Sequence, residues 1–209
     1  AFLPRVLFIL VAPENVGDGK TYSTVAENIL SGCGVSMSPV ESGKCIPHFG
    51  GNQGPGYPAF IATMWWLSQH SDLAVRIGQA GLYVASLVYL LHSIRQYTSS
   101  PKLVLFTGLV LALSPLQVAW PRYIFTETLA LAGTLWLFAE LIKSLHETKL
   151  RIVPIGIALV ATTFIRLDGI LLVIPVAATG FILHPPLEAI RRGVIIALIL
   201  GLPWGGWII

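Results

Sequence analysis

Ionisable side chains occur at only a few places in this chain, most of them at the ends of long apolar runs. The carboxylates of interest are Asp18 and Glu127, and the guanidinium groups are Arg122 and Arg166. A carboxylate can take a proton from a hydroxyl, and the arginine fork can hold two phosphate oxygens. Residues of these types could together support proton transfer and phosphate binding if the fold brings them to one place.

The same residues also have structural explanations. Asp18 could cap the helix that follows it, and Glu127 could lie in a first helical turn, where the helix dipole favours a carboxylate and Thr126 could act as the cap. Arg166 could pair with Asp168 in a tight turn. At the level of sequence, both interpretations of each residue stay open.

Composition indicates an integral membrane protein. Of 209 residues, 55% are hydrophobic and 11% are charged, and the mean hydropathy is +0.76. Soluble domains are rarely so poor in charge. The net charge of +3 comes from basic residues scattered in short gaps between apolar runs, a pattern that predicts membrane topology and no nucleic-acid partner.

About seven membrane spans are predicted, because roughly 20 mostly apolar residues cross a bilayer core of about 30 Å. We expect a single all-α, polytopic transmembrane bundle over 1–209. The approximate spans are 2–12, 73–94, 103–120, 128–142, 152–165, 170–183 and 193–209. The fifth and sixth are short and could form a bent pair. The sequence begins without methionine and stops inside an apolar run, so we expect it to be part of a longer protein.

Orientation follows from the loops, since cytoplasmic loops retain positive charge. The gaps after the second, fourth and sixth spans hold Arg95, Lys102, Lys143, Lys149, Arg151, Arg191 and Arg192. Most acids share the other side with the long loop 13–72. We therefore predict that this loop faces the periplasm, cell exterior or lumen, from a plasma, inner or ER membrane. Glu140 and Arg76, near helix ends, are expected to snorkel to the interface.

Two interfacial helices are predicted within loop 13–72. The first has a helical stripe of apolar residues, with Glu27 and Asn28 on the wet face and Gly32 at its end. The stripe consists of Tyr22, Val25, Ala26, Ile29 and Leu30. The second, around 54–67, is apolar and aromatic, with Pro58 near its start and tryptophans placed at headgroup level.

The two cysteines, Cys33 and Cys45, both fall in this loop. They could close a disulfide in an oxidising compartment or stay as free thiols. Two histidines, His48 and His70, have no partner at metal-ligand spacing and are expected to be solvated.

Taken in order, several motifs resemble the polyprenyl-phosphate-sugar-dependent glycosyltransferases of the GT-C superfamily, which include protein O-mannosyltransferases and the lipid A aminoarabinose transferase. The resemblance covers most of the chain. It rests on Asp18-Gly19-x-x-Tyr22 with Ala26-x-Asn28-x-Leu30-x-Gly32-x-Gly34, Pro55-Gly56-Tyr57-Pro58, Arg122-x-x-x-Thr126-Glu127-Thr128-Leu129, Arg166-Leu167-Asp168-Gly169 and Pro203-Trp204.

This resemblance implies transfer of a sugar from a polyprenyl-phosphate donor to a hydroxyl of a protein, lipid or glycan at the outer face. Asp18 matches the general base. Glu127 matches a second acid, which orients the acceptor or binds a divalent metal together with Asp18; no other cofactor is implied. Some relatives carry a further acid directly after the first, whereas Gly19 follows Asp18 here.

The remaining candidates would bind the substrate. Cations must offset the donor phosphate, and Arg122, Arg166 and Lys20 are the ones available. Tyr22 and Tyr57 are either ligands or packing residues.

Other functional classes have less support. The sequence contains no Walker loop, dinucleotide fingerprint, CxxC pair or HExxH motif. The strongest alternative is a lipid or solute transporter or flippase, or a noncatalytic subunit bound to partners in a larger membrane complex. Transporters usually bury ionisable residues near the bilayer middle and show repeated halves, whereas here the acids cluster at one rim and no repeat is visible.

Overall fold

The structure is a computed structural model that describes residues 1–11, 17–37 and 54–208, without the side chains of 205–208. Every regular element in these ranges is helical, which confirms the all-α prediction. The helices are α1 (Phe2–Leu10), α2 (Asp18–Leu30), α3 (Gly56–Ser68), α4 (Asp72–Tyr97), α5 (Pro101–Leu113), α6 (Pro115–Ala119), α7 (Thr126–His146), α8 (Ile152–Ile165), α9 (Val173–Leu183) and α10 (Pro186–Ile208), with 3₁₀ segments at Trp120–Arg122 and Leu167–Leu172.

Two of these helices, α4 with 26 residues and α7 with 21, are long and apolar enough to cross a membrane. A third span is present if the bent pair formed by α5 and the following segment to Arg122 counts as one. The helix α8 and the segment Leu167–Leu183 are apolar but shorter. Length and composition of the described helices therefore indicate a membrane protein with two or three candidate spans.

The predicted continuous span at 103–120 is broken, because its two parts meet at a bend of 54°. The break lies at Ser114-Pro115, where proline removes a backbone donor and drives the preceding residue out of the α region. Carbonyls freed by the break are bonded by Arg5, which is fully buried and donates to Leu111 and Ala112 at 3.4 and 3.1 Å. The side chain on α1 thus stabilises the end of α5.

The helices α4 and α7 pack side by side and run in the same direction. Their interface includes Tyr83, Leu87, Ala132 and Leu135. A second cluster joins α7 to α8, α9 and α10 through Leu137, Leu141, Ile155, Leu159, Val176 and Ile196. All these residues are apolar, and because lipid tails are as apolar as leucine, it is van der Waals packing of these side chains that holds the helices together.

The prediction that Glu140 and Arg76 snorkel to an interface is wrong. Glu140 is 2% exposed and Arg76 is 8% exposed. The Glu140 carboxylate accepts a hydrogen bond from Tyr89 at 2.6 Å and is paired with Arg151 at 3.1 Å. Glu140 lies on the face of α7 that packs against its neighbours, and there it ties α4 to the start of α8.

The apolar stripe of α2 packs against α3 within the protein. Its members Tyr22, Val25 and Ala26 are buried, and Tyr22 meets Tyr57 of α3 edge-on with ring centroids 5.1 Å apart. The prediction that Asn28 faces water is wrong, because this side chain is 1% exposed and donates to the Ser36 carbonyl.

The ends of α2 and α3 follow the sequence signals. The helix α2 ends at Leu30, and Gly32 follows with φ of +78°, a left-handed conformation that glycine adopts without strain. In α3, Trp65 is buried while Trp66 is 75% exposed. Only Trp66 is therefore free to lie at a membrane interface.

Beyond α2, Cys33 is bonded in a disulfide. Its predicted partner Cys45 lies outside the described residues, as does His48. His70 is half-exposed, stacks on Trp65 and lies 3.6 Å from the Glu27 carboxylate.

Candidate active site

A cavity of about 490 Å³ lies at the end of the bundle where α2 and α7 begin and α8 ends. Four predicted site residues line it, namely Asp18, Tyr22, Glu127 and Arg166. They come from α2, α7 and the segment after α8, so residues more than a hundred positions apart in the chain meet here. The other polar lining residues are Thr126 and Asp168.

Arg166 lies at the centre of this polar group. Its Nη1 donates to Glu127 at 2.9 Å and to the Thr126 hydroxyl at 3.2 Å. Its Nε and Nη2 donate to Asp168 at 3.1 to 3.2 Å, which is the pairing the sequence suggested. The Asp168 hydrogen bond raises the pKa of the guanidinium above its usual range, against the effect of burial, so Arg166 is positively charged.

The local backbone explains how Asp18 reaches the cavity. Asp18 occupies the first turn of α2 and is exposed. It does not cap the helix, because the N-cap residue is Gly17 and no side chain caps α2. Gly17 has φ of +55° and ψ of −131°, which glycine tolerates best. A Cβ on Gly19 would lie 3.1 Å from the Ile124 carbonyl oxygen, so glycine permits the close approach of α2 to the start of α7.

Glu127 begins α7 beside Thr126, which is buried, and Phe125 is the N-cap residue. Thr126 therefore does not cap the helix, and its hydroxyl accepts a hydrogen bond from Arg166 instead. Glu127 does lie in the first turn, where the helix dipole stabilises its charge. Its carboxylate is 36% exposed, which leaves it open to a ligand in the cavity.

The two tyrosines differ in position. Burial raises the pKa of the Tyr22 phenol above its usual range, and Asp18 and Glu127 add to this effect while Thr126 and Arg166 oppose it. Tyr57 lies behind Tyr22 and is fully buried. It can support Tyr22, but it does not line the cavity.

Sequence reasoning missed Gln79 of α4, a fully buried polar residue. Its amide accepts from the Tyr57 hydroxyl at 2.9 Å and donates to the carbonyls of Pro121 and Tyr123 at 3.0 and 2.7 Å. These bonds fix α3 and the 3₁₀ segment that leads into Glu127. The available signal was a lone amide inside a predominantly apolar span, a position that is costly unless the amide is bonded.

Two of the three predicted phosphate-binding cations do not line the cavity. Lys20 is two residues from Asp18, a separation of about 200° around a helix, and it is exposed on another face of α2. Arg122 lies over the ring of Tyr123 at 4.5 Å and donates to its hydroxyl. The lining therefore holds three carboxylates and one guanidinium.

The donor set for a metal is small. Within the described part of the chain, no group of three His, Cys, Asp or Glu side chains lies close enough to hold an ion. The cavity offers Asp18 and Glu127, and Glu127 is shared with Arg166. Magnesium is often held by one or two carboxylates together with substrate phosphates, so Asp18 and Glu127 could serve only an ion that arrives with a phosphate.

An adjoining groove of about 440 Å³ extends the cavity along the bundle. It shares Trp120, Glu127, Arg166 and Asp168 with the cavity. From there it continues between α7 and the second 3₁₀ segment, where its lining combines the apolar Ala130, Leu131, Leu171 and Leu172 with the polar Gln117, Thr134 and Thr162. A polar chamber thus opens into a less polar groove that runs one to two helical turns down α7.

No family model, curated protein or solved structure matches this chain. The glycosyltransferase resemblance therefore stays a prediction from motifs.

Proposed function

We propose that this chain is a membrane glycosyltransferase that moves a sugar from a polyprenyl-phosphate donor to an acceptor hydroxyl. The supporting observation is the junction between the polar cavity around Asp18 and the less polar groove along α7, which Ala130, Leu131, Leu171 and Leu172 line in part. A lipid-linked sugar has the same two parts, since its sugar and phosphate are polar and its tail is apolar. A water-soluble nucleotide sugar has no group that would use the groove.

Asp18 is the general base of the proposed reaction. It accepts the proton of the acceptor hydroxyl while the oxygen attacks the anomeric carbon of the sugar. The bond between that carbon and the phosphate oxygen breaks, and its electron pair leaves with the lipid phosphate. The products are the glycosylated acceptor, the lipid phosphate and a proton on Asp18, which passes to water at the exposed end of the cavity.

Arg166 and Glu127 organise the chamber. Of the five N–H groups of Arg166, four are used by Thr126, Glu127 and Asp168, so one on Nη2 is left for the donor phosphate. Glu127, held in place by Arg166, can orient the acceptor. Asp18 and Glu127 would hold a divalent cation if one is used, and that ion would offset the charge between the lining carboxylates and the phosphate.

The proposed topology is multi-pass, with about seven spans and the cavity at the outer or lumenal face. The helix α7 has 21 residues and a rise of about 30 Å, which equals the hydrocarbon thickness. In this arrangement α2 and α3 lie at the outer interface above the bundle. The donor phosphate is then held at headgroup level while its tail lies beside α7, and the acceptor arrives from water.

The test is a comparison of donors. Membranes containing the full-length protein would be incubated with radiolabelled polyprenyl-phosphate sugars and, separately, with nucleotide sugars. Label should enter acceptors from a lipid-linked donor only. Absence of transfer from several lipid-linked donors would refute the proposal and favour the transporter, flippase or noncatalytic-subunit alternative.

A pair of variants tests the groove. Ala130→Phe places a ring in the groove and should raise KM for the lipid-linked donor. The matched control is Ala85→Phe, at an exposed position of α4 outside both cavities. Equal kinetics in the two variants would argue against tail binding along α7.

A further inference from the structure

A second large cavity, of about 730 Å³, lies at the opposite end of the bundle. It is formed where α7 passes into α8 and where α10 begins. The charged residues that line it are Glu147, Lys149, Arg151, Glu188, Arg191 and Arg192. The 21 residues of α7 separate it from the candidate active site by about 30 Å, so it is a different site.

The positive charges of this cavity are only partly compensated. Arg151 is paired with Glu140 at 3.1 Å and with Glu147 at 3.0 Å. Arg192 is paired with Glu188 at 2.6 Å. These pairs fix two guanidinium groups at the rim.

Two further cations remain available. Lys149 and Arg191 are exposed, and neither forms an ion pair within the described residues. With Arg151 and Arg192 held by ion pairs and Lys149 and Arg191 unpaired, the cavity is suited to an anion such as a phosphate group, which has several oxygen acceptors.

An apolar groove continues from this cavity between α9 and α10. It has a volume of about 450 Å³, shares Leu150 with the basic cavity, and every residue that lines it is apolar, glycine included. Small residues recur at every fourth position of α10 along it, at Ala189, Gly193, Ala197 and Gly201. Since these residues have little or no side chain, they leave an apolar slot between the two helices.

We propose that this pair of cavities binds an anionic phospholipid of the membrane leaflet opposite the active site. The phosphate headgroup lies on Lys149 and Arg191, and one acyl chain occupies the groove between α9 and α10. Basic pockets beside spans on the cytoplasmic side favour anionic lipid headgroups. A free phosphate would leave the groove unused, and a zwitterionic lipid would not match the unpaired charges.

Binding can be measured with purified full-length protein in neutral detergent. Phosphatidylglycerol in mixed micelles is the probe, and phosphatidylcholine and inorganic phosphate are the comparison ligands. We expect phosphatidylglycerol to bind and to raise the thermal midpoint of the wild type. Lys149→Gln with Arg191→Gln should weaken binding about 25-fold, since each basic residue near an anionic surface contributes roughly fivefold.

The matched charge control is Arg95→Gln with Lys102→Gln, at exposed positions of the same end of the bundle but outside the cavity. This variant should bind phosphatidylglycerol as the wild type does. Equal binding by the two double variants, or equal binding of phosphatidylcholine and phosphatidylglycerol, would overturn the proposal.

A third variant distinguishes binding of a phospholipid from binding of a free anion. A Cβ on Gly193 meets no atom within 4 Å, so Gly193→Leu starts its side chain in open space within the groove and leaves the basic residues unchanged. It should weaken phosphatidylglycerol binding. Unchanged binding in Gly193→Leu, or inorganic phosphate binding as tightly as the lipid, would show that no acyl chain is held there. None of these readouts depends on sugar transfer.

Discussion

Replacement of Gln79 by leucine is predicted to destabilise the protein by disconnecting the residues behind the candidate active site. Leucine fills a similar volume but makes no hydrogen bond. It would leave the buried Tyr57 hydroxyl and the carbonyls of Pro121 and Tyr123 without their present partner. Because an unsatisfied buried polar group costs about 1–3 kcal/mol, we expect a loss of roughly 3–5 kcal/mol in the free energy of unfolding.

A second substitution, Tyr57→Phe, is predicted to change stability in opposite directions in the two backgrounds. In the wild type, Tyr57→Phe removes one hydrogen bond and should cost about 1 kcal/mol. In the Gln79→Leu background the same change removes a stranded hydroxyl, so it should stabilise the protein by about 1 kcal/mol. The double-mutant cycle therefore predicts a coupling of about 2 kcal/mol between the two residues.

The assay is reversible unfolding in mild detergent, followed by thermal midpoint and denaturant titration. Gln96→Leu is the matched control, because this glutamine is exposed on the same helix and its loss should change stability by no more than about 0.5 kcal/mol. A Gln79→Leu variant as stable as Gln96→Leu, or a coupling near zero, would refute the reasoning.

Three further predictions concern packing, charge and pH. Gly56→Ala places a Cβ 2.9 Å from the Phe164 carbonyl and should cost about 1–3 kcal/mol in thermal unfolding, whereas Gly81→Ala, which meets no atom within 4 Å, should be neutral or stabilising. Arg166→Lys keeps the charge but loses the fork that holds two carboxylates, so kcat for transfer should fall at least about tenfold while KM changes less; an unchanged kcat would contradict this role. Burial, aided by Glu127, raises the pKa of Tyr57 well above 10.0. The folded state then holds its proton more tightly, so stability should be full below about pH 10 and decline above it, and the decline should be smaller in Tyr57→Phe by thermal midpoint.

The long apolar runs predicted the helices well. Spans expected at 73–94 and 128–142 are α4 (Asp72–Tyr97) and α7 (Thr126–His146). The run at 103–120 was misjudged because hydropathy outweighed Pro115, whose local geometry breaks the helix. Hydropathy expresses the preference of side chains for an apolar environment, and it does not show where a backbone hydrogen bond is lost.

Grouping of the site residues was predicted only in part. Asp18, Glu127 and Arg166 share one cavity, as their common placement at one rim suggested. Lys20 was named as an available cation, but the helical period turns it to another face of α2. Gln79 was missed because its partners lie 22 to 44 positions away, and only the packed structure brings them together.

The most direct measurement of the central claim is the rate of sugar transfer by the purified full-length protein and two variants. Asp18→Asn removes the base, and Glu27→Gln changes an exposed acid of the same helix that lies outside the cavity. With a general base contributing about 10²–10⁴-fold, Asp18→Asn should lose at least about two orders of magnitude in kcat at unchanged thermal stability, while Glu27→Gln keeps wild-type activity. Wild-type transfer by a folded Asp18→Asn protein would contradict the account.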